Sequence, residues 1–114
     1  MRPDKLYLAD IVEAAISIRS FLGHATYQDF MANEMQRSAV MQKLTLIGEA
    51  ASRISSELKT RHPDIEWGDI IGFRNYAIHA YFSVDWEIVW NAAKDETPAL
   101  QERIQKILSQ DFPG

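Results

Sequence analysis

Apolar residues recur in steps of three and four along most of this chain, and nowhere do they alternate one by one over a useful length. Val40, Leu44, Ile47, Ala51 and Ile54 form the longest such series. Steps of three and four gather side chains on one face of a helix, whereas alternation would gather them on one face of a strand. The series predicts one long amphipathic helix over roughly Glu34 to Lys59, buried along a single stripe. An earlier stripe of Leu6, Ile11, Ala14, Ala15 and Ile18 predicts a helix from Leu6 to about Phe21, which Gly23 stops. Between these two, Thr26 to Met31 has room for one or two turns.

His62-Pro63-Asp64 then breaks the period, and Asp64 is the expected cap of a helix carrying Trp67, Ile70, Ile71 and Phe73. Ser83 is the expected cap of the last helix, where Trp86, Val89, Trp90 and Ala93 share a face. Pro98 is expected to kink or restart that helix, because it lacks a donor and crowds the preceding turn; Leu100, Ile104 and Leu108 resume the period. The fold class is therefore all-α, an antiparallel bundle of four main helices plus a short one, in a single domain over residues 1–114. Gly48 and Gly72 each weaken a helix by roughly 1 kcal/mol relative to alanine, so close approach of another backbone is expected at both.

Composition narrows the function. Without cysteine there is no disulfide, no thiolate nucleophile and no cysteine-held zinc, and three scattered histidines give no expectation of a metal or cofactor site. His24 and His62 are expected to be solvated loop residues. No apolar run approaches the roughly 18 residues of a membrane span, and the amino terminus lacks the apolar region of a signal peptide. The expectation is a cytoplasmic protein with no membrane partner. Twelve Lys and Arg against sixteen Asp and Glu, a net charge of -4, argue against a broad basic surface, so any nucleic-acid site must be local.

One segment has a catalytic inventory, Arg74-Asn75-Tyr76-Ala77-Ile78-His79-Ala80-Tyr81. An arginine offers a fixed positive fork for a phosphate, and a histidine moves a proton near neutral pH. On an ideal helix Arg74 and Tyr81 lie roughly 20° apart but two turns distant, and His79 lies roughly 140° from Arg74. Asn75 and His79 share a face, so Asn75 is placed to orient the imidazole or to meet a substrate oxygen. Cleavage of RNA by its own 2′-hydroxyl benefits from one group that removes a proton and another that supplies one. One histidine cannot do both at once, whereas a two-fold dimer sets His79 and its mate across one cleft with two arginines. The bland alternative is a surface arginine paired with an acid and a histidine at a helix end. Tyr81 reads equally well as a half-buried aromatic at the helix junction. Glu49 and Arg53 read first as a helix-stabilising pair.

Arg74, His79 and Tyr81 match the Arg-x4-His-x-Tyr signature of the HEPN superfamily, and the chain resembles its HepT-like (DUF86) branch. Tyr7-Leu8-Ala9-Asp10-Ile11, Leu46-Ile47-Gly48-Glu49-Ala50-Ala51, Ile71-Gly72-Phe73-Arg74-Asn75 and Val84 to Trp90 carry the likeness in order over nearly the whole chain. Asp95-Glu96-Thr97 and Ala80 depart from the family pattern, outside the signature.

The resemblance implies a HEPN-like homodimer acting as a metal-independent endoribonuclease toxin, with RNA as substrate and transfer RNA the favoured target. It implies Arg74 and His79 as catalytic residues assisted by Asn75, with Glu49 supporting Arg74. It further implies a nucleotidyltransferase antitoxin of the MNT type as partner, within a larger hetero-oligomer, adding AMP at Tyr81 to silence the enzyme. A nucleotide attached beside two cationic groups would fill the site and compete with RNA. Two other classes stay open: a non-catalytic helical adaptor that presents substrate to a nucleotidyltransferase, and a bare structural bundle indifferent to His79→Ala.

Overall fold

In a computed structural model the described residues, 2–80 and 82–114, contain helices and no strand. The α-helices are α1 (Asp4–Leu22), α2 (Tyr27–Ala32), α3 (Glu34–Arg53), α4 (Ser56–Arg61), α5 (Trp67–His79), α6 (Trp86–Asn91) and α7 (Thr97–Asp111). A π-helical segment, Ala92–Glu96, fuses α6 to α7, so four long helical bodies form the bundle and α2 and α4 are short. The all-α expectation holds.

Local chemistry explains most of the boundaries. Gly23 closes α1 at φ 53°, a left-handed conformation that glycine adopts without a Cβ penalty, and its amide bonds to the Arg19 carbonyl. Thr26 and Asp29 form a reciprocal capping box at α2. Asn33 caps α3 through the Gln36 amide at 2.9 Å. The Gln36 side chain also reaches the Phe21 carbonyl, while Asp4 reaches Ser55. The start of α1 thus lies by the end of α3 and its end by the start of α3, which makes the pair antiparallel.

Three boundaries differ from those expected. The long helix ends at Arg53, not near Lys59, because Ile54 turns extended at ψ 143° while staying buried. Ser55 then caps α4 and donates its hydroxyl and amide to Asp4 at 2.6 and 2.9 Å. The cap expected at Asp64 is absent; α5 starts after Glu66 without a side-chain cap. Asp85, not Ser83, caps α6 by accepting from the Glu87 amide at 3.0 Å. Pro98 lies in the first turn of α7, where the α-helix restarts as expected after the π segment. The π segment inserts a residue ahead of it, and the buried Thr97 hydroxyl bonds to the Ala92 carbonyl at 2.7 Å.

The core joins all long helices. Leu8, Ile11 and Ile18 of α1, Val40, Leu44, Ile47 and Ala51 of α3, Trp67 of α5, Val89 and Trp90 of α6 and Ile104 and Ile107 of α7 are buried in one core with Phe30 and Leu58 from the short helices α2 and α4. Phe30 sits 5.2 Å from the Trp90 ring and 6.2 Å from that of Trp86. Each large side chain so buried contributes roughly 1.5–3 kcal/mol. Leu6, expected inside, is exposed. His62 is not a solvated loop residue: its ring meets Asp111 at 2.8 Å, and its carbonyl accepts from the Trp67 indole at 3.0 Å. Its bond, followed by that from Arg61, holds the Asp111 carboxyl below the usual carboxylate range.

Candidate active site

α5 lies against α3, and a glycine sets how close they come. A Cβ on Gly48 would stand 2.6 Å from the Arg74 Cβ and 3.0 Å from the Ile70 carbonyl oxygen, so only glycine fits this crossing. The approach expected at Gly48 is therefore present. At Gly72 it is not: a Cβ there would meet nothing within 4 Å.

The crossing brings Glu49, the next residue of α3, to the arginine. Arg74 Nη1 donates to Glu49 Oε2 at 2.5 Å, while Nη2 and Nε donate to Asn75 Oδ1 at 2.9 and 3.3 Å. Three of the five guanidinium N–H groups are thereby fixed, leaving two for a ligand. Glu49 Oε1 also accepts from Arg53 Nε at 3.0 Å. Clasped between two cations, the Glu49 carboxyl titrates below the usual carboxylate range, with the Arg74 bond the larger cause and the Arg53 bond the next. The Arg74 side chain keeps 26% of its surface exposed.

Asn75 behaves differently from the sequence expectation. Its carbonyl oxygen engages Arg74, so it orients the arginine, and only its amide donors remain for a substrate or an imidazole. His79 is the last residue of α5, exposed and with no side-chain hydrogen bond among the described residues. Glu49, Arg74 and Asn75 thus form one bonded network, with His79 on the same helix but outside it. Tyr81, the expected modification position, lies outside the described residues.

A family model described as Ribonuclease HepT-like matches residues 11–107, a span that takes in Glu49, Arg74, Asn75 and His79. The chain belongs to the HepT-like family. A protein of Thermococcus cleftensis named as a probable ribonuclease HepT is 36% identical over 106 residues, covering 93% of this chain and 96% of its own. Two proteins of Methanocaldococcus jannaschii named as candidate RNases are similar to it as well. One is 33% identical over 104 residues, 91% of this chain and 95% of its own. The other is 35% identical over 113 residues, 99% and 93% respectively. No solved structure matches the chain.

Within this HepT-like chain, sequence reasoning left two contacts out. Tyr76 faces Phe73 at 5.9 Å, and its hydroxyl also accepts from the Asp85 amide at 2.7 Å. Arg53, read as half of a surface pair, shares its carboxylate with Arg74. Neither was visible without the tertiary fold, because Asp85 and Arg74 lie in other parts of the chain. Among the described residues no group of three His, Cys, Asp or Glu is placed to hold a metal ion, and no helix is long and apolar enough to cross a membrane.

Proposed function

We propose that this chain is an endoribonuclease in which Arg74 and His79 act on a phosphodiester without a metal ion. The supporting observation is the braced guanidinium of Arg74, oriented by Glu49 and Asn75 with two donors to spare, one and a half turns from an exposed imidazole on the same helix. In this reaction the substrate's own 2′-oxygen forms a bond to phosphorus and the bond from phosphorus to the 5′-oxygen breaks. The 2′-hydroxyl proton passes to a neutral imidazole, and an imidazolium protonates the departing 5′-oxygen; the products are a 2′,3′-cyclic phosphate and a 5′-hydroxyl. Arg74 neutralises the charge that gathers on the phosphoryl oxygens.

Two imidazoles in complementary protonation states come from two copies of the chain. An exposed face of α5 suits such a pairing, because Gly68 and Gly72 hold no side chain off it and the exposed His79 lies on the same face. A helical glycine costs roughly 1 kcal/mol against alanine, and nothing among the described residues lies close enough to Gly72 to call for one. A second copy on that face supplies the missing reason.

The enzyme works as the toxin of a toxin-antitoxin pair in the cytoplasm, with transfer RNA the favoured substrate. Its antitoxin is a nucleotidyltransferase of the MNT type that adds AMP at Tyr81, within a hetero-oligomer. The class of the relatives' names supports the ribonuclease, and the family pattern at Arg74, His79 and Tyr81 supports the rest. Expressing the wild-type chain, Arg74→Ala and His79→Ala in bacteria and resolving total small RNA on a gel tests the reading. Discrete fragments from wild type alone are expected. Intact RNA with soluble, dimeric, unmodified wild type would favour the adaptor.

A further inference from the structure

Glu49 holds two guanidinium groups. Its Oε2 accepts from Arg74 Nη1 at 2.5 Å and its Oε1 from Arg53 Nε at 3.0 Å. Arg53 reaches it from one turn further along α3, Arg74 from α5. Helix stabilisation accounts for Glu49 and Arg53 taken as a pair. It does not account for the trio. One carboxylate between two permanent cations leaves a local charge of +1, in a chain whose net charge is -4, and sets two like charges on the two oxygens of one group. An anion relieves that repulsion. Arg53 is the more open of the two, with its side chain 60% exposed against 26% for Arg74, and its Nη1 and Nη2 carry four further N–H donors. It also lines a groove of about 620 Å³ between α1 and α3, with Tyr7, Lys43 and Leu46 on the walls and Glu49 in common with the Arg74 site. The other carboxylates there, Asp10 and Glu13, are matched by Arg2, which donates to Asp10 at 2.8 Å, and by Lys43. Because Glu49 is shared with Arg74, Arg53 is the cation of this groove that its acids leave half neutralised.

Resting on the ribonuclease reading above, we propose that this groove is a subsite for the RNA phosphate next to the scissile one, with Arg53 as its anchor. One carboxylate then sets both grips on the strand, Arg74 for the reacting phosphate and Arg53 for its neighbour. The two nitrogens on Glu49 stand within two hydrogen bonds and one carboxylate of each other, a separation on the scale of one nucleotide step. The planar fork of an arginine matches two oxygens of a phosphate, and Glu49 holds the Arg53 fork in place before RNA arrives, so less ordering is left to the moment of binding. Phosphate contacts fix register and carry no sequence information of their own. Arg53 thereby holds the strand in register at Arg74 and His79 without choosing the base.

The test uses a single-stranded RNA oligonucleotide with one mapped cut site. Its binding, with a 2′-deoxy sugar at that site to prevent cleavage, is measured across salt concentrations for wild type, Arg53→Ala and Arg53→Lys. Cleavage of the all-ribose strand is followed for the same proteins and for His79→Ala. Arg53 is largely exposed and an exposed ion pair adds little to stability, so its variants fold. Arg53→Ala is expected to bind roughly tenfold more weakly and to flatten the slope of log K against log salt by about 0.7, the share of one single-strand phosphate, with kcat held within about threefold. Arg53→Lys keeps the charge and should keep the slope. Replacing one of the phosphates that flank the cut by a neutral methylphosphonate should cost wild type the same factor and Arg53→Ala nothing more. An unchanged salt slope in Arg53→Ala, a fall in kcat alone, or a methylphosphonate penalty equal in both proteins would overturn the subsite while leaving the ribonuclease standing. RNA left whole by wild type, or cut equally by His79→Ala, would overturn both.

Discussion

Glu49 on α3 and Arg74 on α5, 25 residues apart, are joined by a hydrogen-bonded ion pair of 2.5 Å, and Gly48 is what lets the two helices come close enough to make it. A fold-level feature, the crossing of two helices, thereby aims one guanidinium. The direction of that guanidinium, more than its charge, is what separates a phosphate-binding arginine from a surface arginine.

Gly48 and Gly72 should respond oppositely to alanine. Gly48→Ala forces its Cβ against the Arg74 Cβ and the Ile70 carbonyl, so α5 must move. A loss of about 1–3 kcal/mol in urea unfolding is expected, with RNA cleavage reduced as Arg74 shifts. Gly72→Ala meets nothing among the described residues and should add up to about 1 kcal/mol to the helix. If the dimer seam runs over that face, the same variant weakens dimerisation in sedimentation.

Glu49→Gln keeps the shape of the brace and removes its charge. Loosening of Arg74 should reduce kcat on the order of ten- to a hundredfold, because small misplacements of a catalytic group are costly. The pH dependence follows from the lowered carboxyl. A carboxyl held below its ordinary value of 4.5 contributes stability above that value and loses it as pH falls through the lower, folded value. The stability difference between wild type and Glu49→Gln should therefore be present at neutral pH and shrink on acidification below about pH 4.5, as read by thermal melts across that range.

Asp111 is a second acid-sensitive contact, paired with His62 and Arg61. With its carboxyl lowered from 3.8 by His62 first and Arg61 next, its stabilising contribution is full above that value and fades as pH falls through the lower one. Asp111→Asn should lower Tm at neutral pH, lose that deficit in strong acid and leave RNA cleavage unchanged.

Ser55 tests the corner that the apolar pattern conceals. It caps α4 at the Leu58 amide and ties to Asp4 through two bonds. Ser55→Ala should cost about 1–2 kcal/mol in chemical denaturation, and Asp4→Ala a comparable part of the same amount.

The four long helical bodies were legible because burial follows period: Val40, Leu44, Ile47, Ala51 and Ile54 are all inside. The same regularity hid the break after Arg53. Ile54 and Leu58 keep the step of four across it and both are buried, so apolar spacing reads straight through a corner made by Ser55 and a partner 51 residues away. Caps were misplaced for a related reason. Several polar residues precede α5 and α6, and tertiary bonds choose among them: the Trp67 indole on the His62 carbonyl, and the Tyr76 hydroxyl on the Asp85 amide. At the site, the residue types and their order were readable at Arg74, Asn75 and His79, and so was the helix that carries them. The partnerships were not, since whether Asn75 serves Arg74 or His79 depends on where Glu49 draws the guanidinium.

The central claim is that Arg74 and His79 together cleave RNA, and single-turnover cleavage of a mapped single-stranded RNA by purified wild type, Arg74→Ala and His79→Ala tests it most directly. Each substitution should slow the chemical step by on the order of 10²–10⁴-fold, with wild type leaving a 2′,3′-cyclic phosphate and a 5′-hydroxyl. Cleavage by either variant at the wild-type rate would contradict the account.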